Sequence, residues 1–171
     1  MKKPIAVWVT GIPGSGKSTI AKKIAKKLKA GYLRLDDIRK VITPKPTYSG
    51  KERKMVYKAL ALIASKVYEK GSNVVIDATD NLNIGRPAAR KLIRNFHVVQ
   101  LKCPVAICEK REMKRKDKAG MFNLYKKARK GKIKLPGFGG KYIEEKKPLI
   151  KIETDKVSAD LAVKLILAKL K

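Results

Sequence analysis

The sequence predicts an α/β domain, in which about five parallel strands carry helices on both faces. Three observations lead there. Apolar runs of strand length alternate with longer stretches whose apolar residues recur at helical spacing. A glycine-rich turn, Gly11-Ile12-Pro13-Gly14-Ser15-Gly16-Lys17-Ser18-Thr19, joins the first such run to the first such stretch and fits G-x-x-x-x-G-K-[ST]. The 171 residues, 44% of them hydrophobic, suffice for one core, so a single domain over 1–171 is expected.

The first strand is Ile5-Ala6-Val7-Trp8-Val9-Thr10, apolar and without helical period. In the turn after it, glycines at 11, 14 and 16 allow backbone N–H groups to close on an anion. Lys17 brings a cation to the β- and γ-phosphates, Ser18 a hydroxyl to Mg²⁺, and the following helix points its positive end at the ligand. Gly11, Pro13, Gly14, Ser15, Gly16, Lys17, Ser18 and Thr19 are therefore expected to hold a nucleoside triphosphate. The helix itself, about Ser18 to Lys29, sets Lys22, Lys23, Lys26 and Lys27 between apolar positions, and Gly31 ends it.

Tyr32-Leu33-Arg34-Leu35 is a short strand leading to Asp36-Asp37-Ile38-Arg39, where a parallel sheet would deliver a catalytic carboxylate beside the glycine loop. After a two-proline loop, Ser49 and Glu52 have capping-box spacing, opening a helix from about Gly50 to Lys70 with Val56, Leu60, Ile63, Ala64 and Val67 inward. Val74-Val75-Ile76 is a buried strand closed by Asp77, which holds Mg²⁺ or caps the next turn. Pro87 to Asn95 reads as helix, and Phe96 to Leu101 as strand with the sole histidine, His97, structural. Val105 opens a helix through Cys108, Glu109 and Arg111. Met113 to Phe122 is basic and poorly patterned, a mobile-lid candidate within a lid of about 111–142. Helix resumes over Leu124 to Lys130, Pro136 to Gly140 is flexible, and Leu149 to Ile152 is the last strand. Ser158 caps a final helix whose apolar residues are Leu161, Val163, Leu165, Ile166 and Leu170.

The formal net charge is +29, from 43 Lys+Arg against 14 Asp+Glu. A polyanionic partner such as nucleic acid and a lysine-rich solvated surface both account for it. Cys103 and Cys108 are too few for a disulfide scaffold, no apolar stretch reaches membrane-span length, and no secretory signal is visible, so a cytoplasmic location is expected.

Taken together these residues resemble the adenylylsulfate kinase family of P-loop kinases. Beside the glycine loop, Leu33-Arg34-Leu35-Asp36-Asp37-Ile38-Arg39 is similar to the family's L-D-G-D-N-V-R, and Tyr48-Ser49-Gly50-Lys51-Glu52-Arg53 to F-S-x-x-D-R. Cys108-Glu109-Lys110-Arg111 and Leu124 to Lys134 resemble C-E-x-R and the L-Y-x-K-A-R-x-G-x-I-K lid. The resemblance implies ATP with Mg²⁺, and phosphorylation of the 3′-hydroxyl of adenosine 5′-phosphosulfate. It makes Asp36 a catalytic or Mg²⁺-linked carboxylate and Arg39, Tyr48 and Arg53 acceptor-binding; with the glycine loop, the strand-end Asp77 and the charge needs of phosphoryl transfer, the expected catalytic residues are Lys17, Asp36 and Arg111 and the metal-linked ones Ser18, Asp36 and Asp77. Tyr48 would stack on the acceptor adenine, Arg111 would arrive with lid closure, and Lys118 is a guess for a lid cation. For Tyr48 a packing role, and for Arg39 and Arg53 a solvated one, are the alternatives. Arg34 stands where the family has aspartate, Ile76-Asp77-Ala78-Thr79-Asp80-Asn81 replaces F-I-S-P-Y-R, and Gly139 to Glu144 replaces I-D-D-P-Y-E. The expected acceptor is a small phosphorylated or sulfated nucleotide, with a nucleic-acid 5′-hydroxyl or a non-catalytic ATP switch as rivals. A homodimer is open on sequence alone.

Overall fold

The computed structural model describes residues 3–114 and 123–170. Its strands are β1 (Ala6–Thr10), β2 (Gly31–Arg34), β3 (Val74–Asp77), β4 (Phe96–Lys102), two-residue β5 (Leu135–Pro136) and β6 (Gly139–Gly140), and β7 (Ile150–Glu153). Its helices are α1 (Lys17–Leu28), α2 (Leu35–Ile42), α3 (Gly50–Glu69), α4 (Gly85–Leu92), α5 (Val105–Met113), α6 (Leu124–Arg129) and α7 (Ala159–Lys169). Five parallel strands form one sheet in the order β2-β3-β1-β4-β7. β1 and β3 are buried along their whole length, which is why both read as unbroken apolar runs rather than alternating ones.

The pleat divides the core into two layers. Trp8, Ile76 and Val98 point to α3 and α4, where they pack with Tyr57, Leu60 and Ala89. Val7, Val9, Val75 and Val99 point the other way, against Ile20 and Ile24 of α1 and Val163 and Ile166 of α7. Trp8 donates its indole N–H to the Ala78 carbonyl at 3.0 Å, so its polar atom is satisfied in the core. β1 lies between β3 and β4, and the glycine loop leaves its C-terminal end, where the strand order reverses and open α/β sheets bind ligands.

Several boundaries differ from expectation. β2 stops at Arg34, and Leu35 begins the unforeseen α2, whose register buries Leu35 and Arg39. α4 starts at Gly85 because the Asp80 carboxylate receives the Ile84, Gly85 and Arg86 amides, at 2.8, 3.0 and 2.8 Å. A side chain at 85 would run into the Trp8 ring. Arg86, in the first turn of α4, is fully buried. Ile63, Leu161 and Leu165 were expected inside and are 37%, 44% and 40% exposed; α7 buries Ala162 in their place. Pro136 to Gly140 is not loose: Phe138 N–H donates to the Leu135 carbonyl and Gly137 N–H to that of Gly140, at 2.8 and 3.0 Å. His97 bonds Asn95 at 2.8 Å and burial lowers its pKa, as a structural residue. The cysteines are free thiols. Among the described residues no helix is long and apolar enough to cross a membrane.

Candidate active site

The glycine loop has the conformation its residue types require. Gly14 and Gly16 adopt φ of 80° and 92°, the left-handed region that side chains disfavour, and a Cβ at Gly14 would strike the Cys108 carbonyl of α5. Lys17 bends back to donate to the Ile12 carbonyl at 3.0 Å. Pro13, Gly14, Gly16, Lys17, Ser18 and Thr19 line a cleft of about 1070 Å³. Gly11 and Ser15 stand behind it: Ser15 is fully buried, and its carbonyl accepts the Thr154 hydroxyl at 2.9 Å.

Opposite the loop, Asp36, Arg39, Tyr48, Arg53 and Asp77 line the same cleft. Glu52, at the start of α3, organises that wall. Its carboxylate accepts from Arg39 at 3.0 Å, from the Thr47 amide at 2.6 Å, from the Thr47 hydroxyl at 2.8 Å and from the Tyr48 amide at 3.2 Å. Burial acts to raise the Glu52 pKa, but these bonds and the Arg39 charge outweigh it and the pKa falls below the ordinary value. The capping box is thus half formed: the Ser49 hydroxyl accepts the Glu52 amide at 3.2 Å, while the Glu52 side chain serves Thr47 and Tyr48. Arg39 is 8% exposed, which replaces the solvated reading with a buried ion pair. Tyr48 takes φ of 55°, its ring centroid 5.1 Å from the Arg39 guanidinium and 5.8 Å from that of Arg53. Burial, with the Asp36 and Glu52 charges, raises the Tyr48 pKa. Arg53 is fixed by the Tyr48 carbonyl at 2.9 Å and the Asn81 side chain at 3.2 Å.

Asp77, 4% exposed, does not cap a turn; it accepts the Tyr32 hydroxyl at 2.7 Å. Burial, then the Asp77 charge and its hydrogen bond, raise the Tyr32 pKa, and the Ser18 side chain acts on the same hydroxyl. Ser18 and Asp77 therefore flank one phenol oxygen and offer hard oxygen donors, the chemistry Mg²⁺ selects when nucleotide phosphates complete its shell. Among the described residues no three His, Cys, Asp or Glu cluster as a metal cage.

Arg111 lines the cleft but is engaged elsewhere, donating to the Thr154 hydroxyl at 3.0 Å and the Thr154 carbonyl at 2.7 Å. In this geometry it braces the back of the glycine loop through Thr154 and Ser15. Lys118 and most of the basic segment lie outside the described residues. The described residues on either side of 115–122 are tied to one another: Glu112 accepts the Leu124 amide at 3.1 Å, and Glu109 takes two bonds from Arg129 at 2.8 and 2.7 Å. Tyr32, Thr154, Glu112 and the buried Asp80–Arg86 pair were not foreseen. Only for Asp80, five residues ahead of α4, was there a usable local signal, that of a capping carboxylate.

Cations, a glycine cradle and carboxylates lining one cleft are what is needed to move a phosphoryl group, a reaction governed by positioning and charge neutralisation. Fold and site together define a P-loop kinase. The chain belongs to the adenylylsulphate kinase family, whose model matches residues 3–153. It is 33% identical to the probable adenylyl-sulfate kinase of Archaeoglobus fulgidus, over 88% of this chain and 96% of that one. It is 32% identical to the adenylyl-sulfate kinase of Clostridium acetobutylicum, over 99% and 84%. Among solved structures it is similar to the Mycobacterium tuberculosis APS kinase CysC in complex with AMPPNP and APS, at a TM-score of 0.84, 28% identity and 99% coverage of both chains.

Proposed function

We propose that this kinase, acting as a single domain in the cytosol, transfers the γ-phosphoryl group of ATP to the 3′-hydroxyl of adenosine 5′-phosphosulfate. The observation that carries the reading is the single cleft of about 1070 Å³, which joins the phosphate loop on one wall to Arg39, Tyr48 and Arg53 on the other. The loop's donor-side residues and the Arg39, Tyr48 and Arg53 side chains share that one cleft, so a donor and an acceptor bound there would meet within it. The M. tuberculosis neighbour is a complex with AMPPNP and APS, a pair of this kind.

In the reaction the acceptor 3′-oxygen forms a bond to the γ-phosphorus while the bond from that phosphorus to the β,γ-bridging oxygen breaks, leaving ADP. Lys17 neutralises charge on the β- and γ-phosphates, and the loop amides hold them. Mg²⁺, when bound, supplies further charge neutralisation, with Ser18 and Asp77 as the protein groups suited to hold it. Asp36 orients the acceptor hydroxyl and takes or passes on its proton. Tyr48 provides a ring face for the acceptor base, and Arg39 and Arg53 provide cations for its anionic groups. Arg111 supports the donor side through Thr154, with a role at the phosphates reserved for a closed lid spanning about 111–142.

The test is an ATP-consumption assay with adenosine 5′-phosphosulfate and a 5′-hydroxyl oligonucleotide side by side. Turnover with the phosphosulfate is expected. Turnover confined to the oligonucleotide, the rival suggested by the charge of +29, would overturn the reading.

A further inference from the structure

We propose that Arg34 is a positioning residue, built into the floor of the cleft to aim the Asp36 carboxylate at the acceptor hydroxyl. The inference rests on the reading of Asp36 as the acceptor-side carboxylate.

Arg34 is the last residue of β2 and the N-cap of α2, extended at φ −105° and ψ 127°. Its backbone is fixed on one side by the sheet, where it pairs in register with Asp77, and on the other by the helix that begins at the next residue. The guanidinium reaches Asp36 at 3.3 Å, and the two side chains differ sharply in environment: that of Arg34 is 6% exposed, that of Asp36 is 47% exposed. A side chain as open as Asp36 would sample several rotamers if nothing held it. Here the rigid partner is buried and the mobile one faces the cleft, so the geometric information passes from arginine to aspartate. A guanidinium also has a planar fork suited to one carboxylate orientation.

Retaining a buried guanidinium is costly unless carboxylates repay its lost hydration. In this chain the carboxylate paired with it, that of Asp36, lines the reaction cleft. An arginine where the resembling pattern carries an aspartate reverses the local charge by two units, which makes Arg34 a property of this chain rather than of the pattern.

A double-mutant cycle over Arg34→Met and Asp36→Asn tests this, measured on adenosine 5′-phosphosulfate. If Arg34 acts through Asp36, Arg34→Met lowers kcat by about tenfold or more with the KM for ATP within about twofold, and the double variant is no slower than Asp36→Asn alone. Losses that multiply would overturn the proposal, as would an Arg34→Met defect confined to the KM for the acceptor. Should Arg34→Met fail to fold, Arg34→Lys, which keeps the charge without the planar fork, takes its place in the cycle with the same non-additivity expected. A crystal structure of the Arg34 variant gives a readout independent of turnover. Loss of a single Asp36 carboxylate position supports the proposal, and an unchanged position overturns it. If the wild type leaves the phosphosulfate untouched, it is the acceptor that has been misread, and the crystal structure still decides the role of Arg34.

Discussion

The Tyr125 hydroxyl donates to the Pro13 carbonyl at 2.8 Å, joining α6 to the glycine loop across 112 positions of sequence. Tyr125 is fully buried, and its ring meets Phe138 edge-on with centroids 5.9 Å apart. The loop that grips phosphate is thus held from outside by the lid region. Tyr125→Phe keeps the packing and leaves the Pro13 carbonyl unpaired, at a cost of about 1 kcal/mol or more. The expected result is a KM for ATP raised by about three- to tenfold, with the KM for the acceptor little changed. Steady-state kinetics with each substrate varied in turn check this, and an unaltered KM for ATP would show that the bond does not shape the loop.

Glu52 makes the complementary prediction for the acceptor. Glu52→Gln weakens the charge-assisted bonds that seat Arg39 and Tyr48. The KM for the acceptor should rise by about tenfold with the KM for ATP unchanged, and Glu52→Asp should restore part of the loss. Equal effects on both substrates would mean that Glu52 only supports the fold.

The same carboxylate sets a pH dependence. Its folded pKa lies below the ordinary value of 4.5, so its contribution to stability is fully present above that pH and is lost as pH falls through the lower folded value. Melting temperatures between pH 7 and pH 3 should fall on the acid side, and Glu52→Gln should flatten that fall. Parallel curves for wild type and variant would assign the acid loss to other groups.

Asp80 and Arg86 predict a large stability effect without a chemical role. Both side chains are fully buried and paired at 3.1 Å, and Arg86 also donates to the Ile143 carbonyl at 2.6 Å. Asp80→Asn removes the nearer of two carboxylates around the buried guanidinium, Glu145 standing at 3.6 Å, so a loss of about 3 kcal/mol is expected in denaturant unfolding. A loss below about 1 kcal/mol would show that water or Glu145 replaces the missing charge.

Burial pushes the Cys108 thiol up to about 12, helped by Cys103. Iodoacetamide at pH 8 should therefore modify the half-buried Cys103 first and leave Cys108 unreacted in the folded protein. Mass spectrometry of the digested product reads the site, and prompt labelling of Cys108 would contradict the packing of α5 on the glycine loop.

The parts of this molecule that could be read from the sequence are those governed by local physics. Glycine spacing dictates the loop, unbroken apolar runs dictate strands buried on both faces, and Ser158 accepts the Leu161 amide at 3.2 Å, as a helix cap should. Most of the site could be named because its pattern is contiguous: Asp36, Arg39, Tyr48 and Arg53 fall within a short span. Its geometry was not legible. Tyr32 meets Asp77 across 45 positions and Arg111 meets Thr154 across 43, distances over which no periodicity or capping rule operates. α2 was missed because Arg34 provides no side-chain cap hydrogen bond to announce it. Leu161 and Leu165 misled because apolar residues remain on the surface of every folded chain.

Asn81 accepts the Ile143 amide at 2.8 Å through its carbonyl, donates its side-chain amide to the Lys141 carbonyl at 3.2 Å, and holds Arg53. Two stretches far apart in the chain, both departing from the pattern that the sequence otherwise resembles, therefore close on each other, while the phosphate loop fits its own pattern. For anyone recombining this enzyme with its relatives, that contact is a seam. Grafting either stretch alone would strand a backbone amide or carbonyl at the junction, whereas the two moved together travel as one cassette, with the donor machinery left as it is.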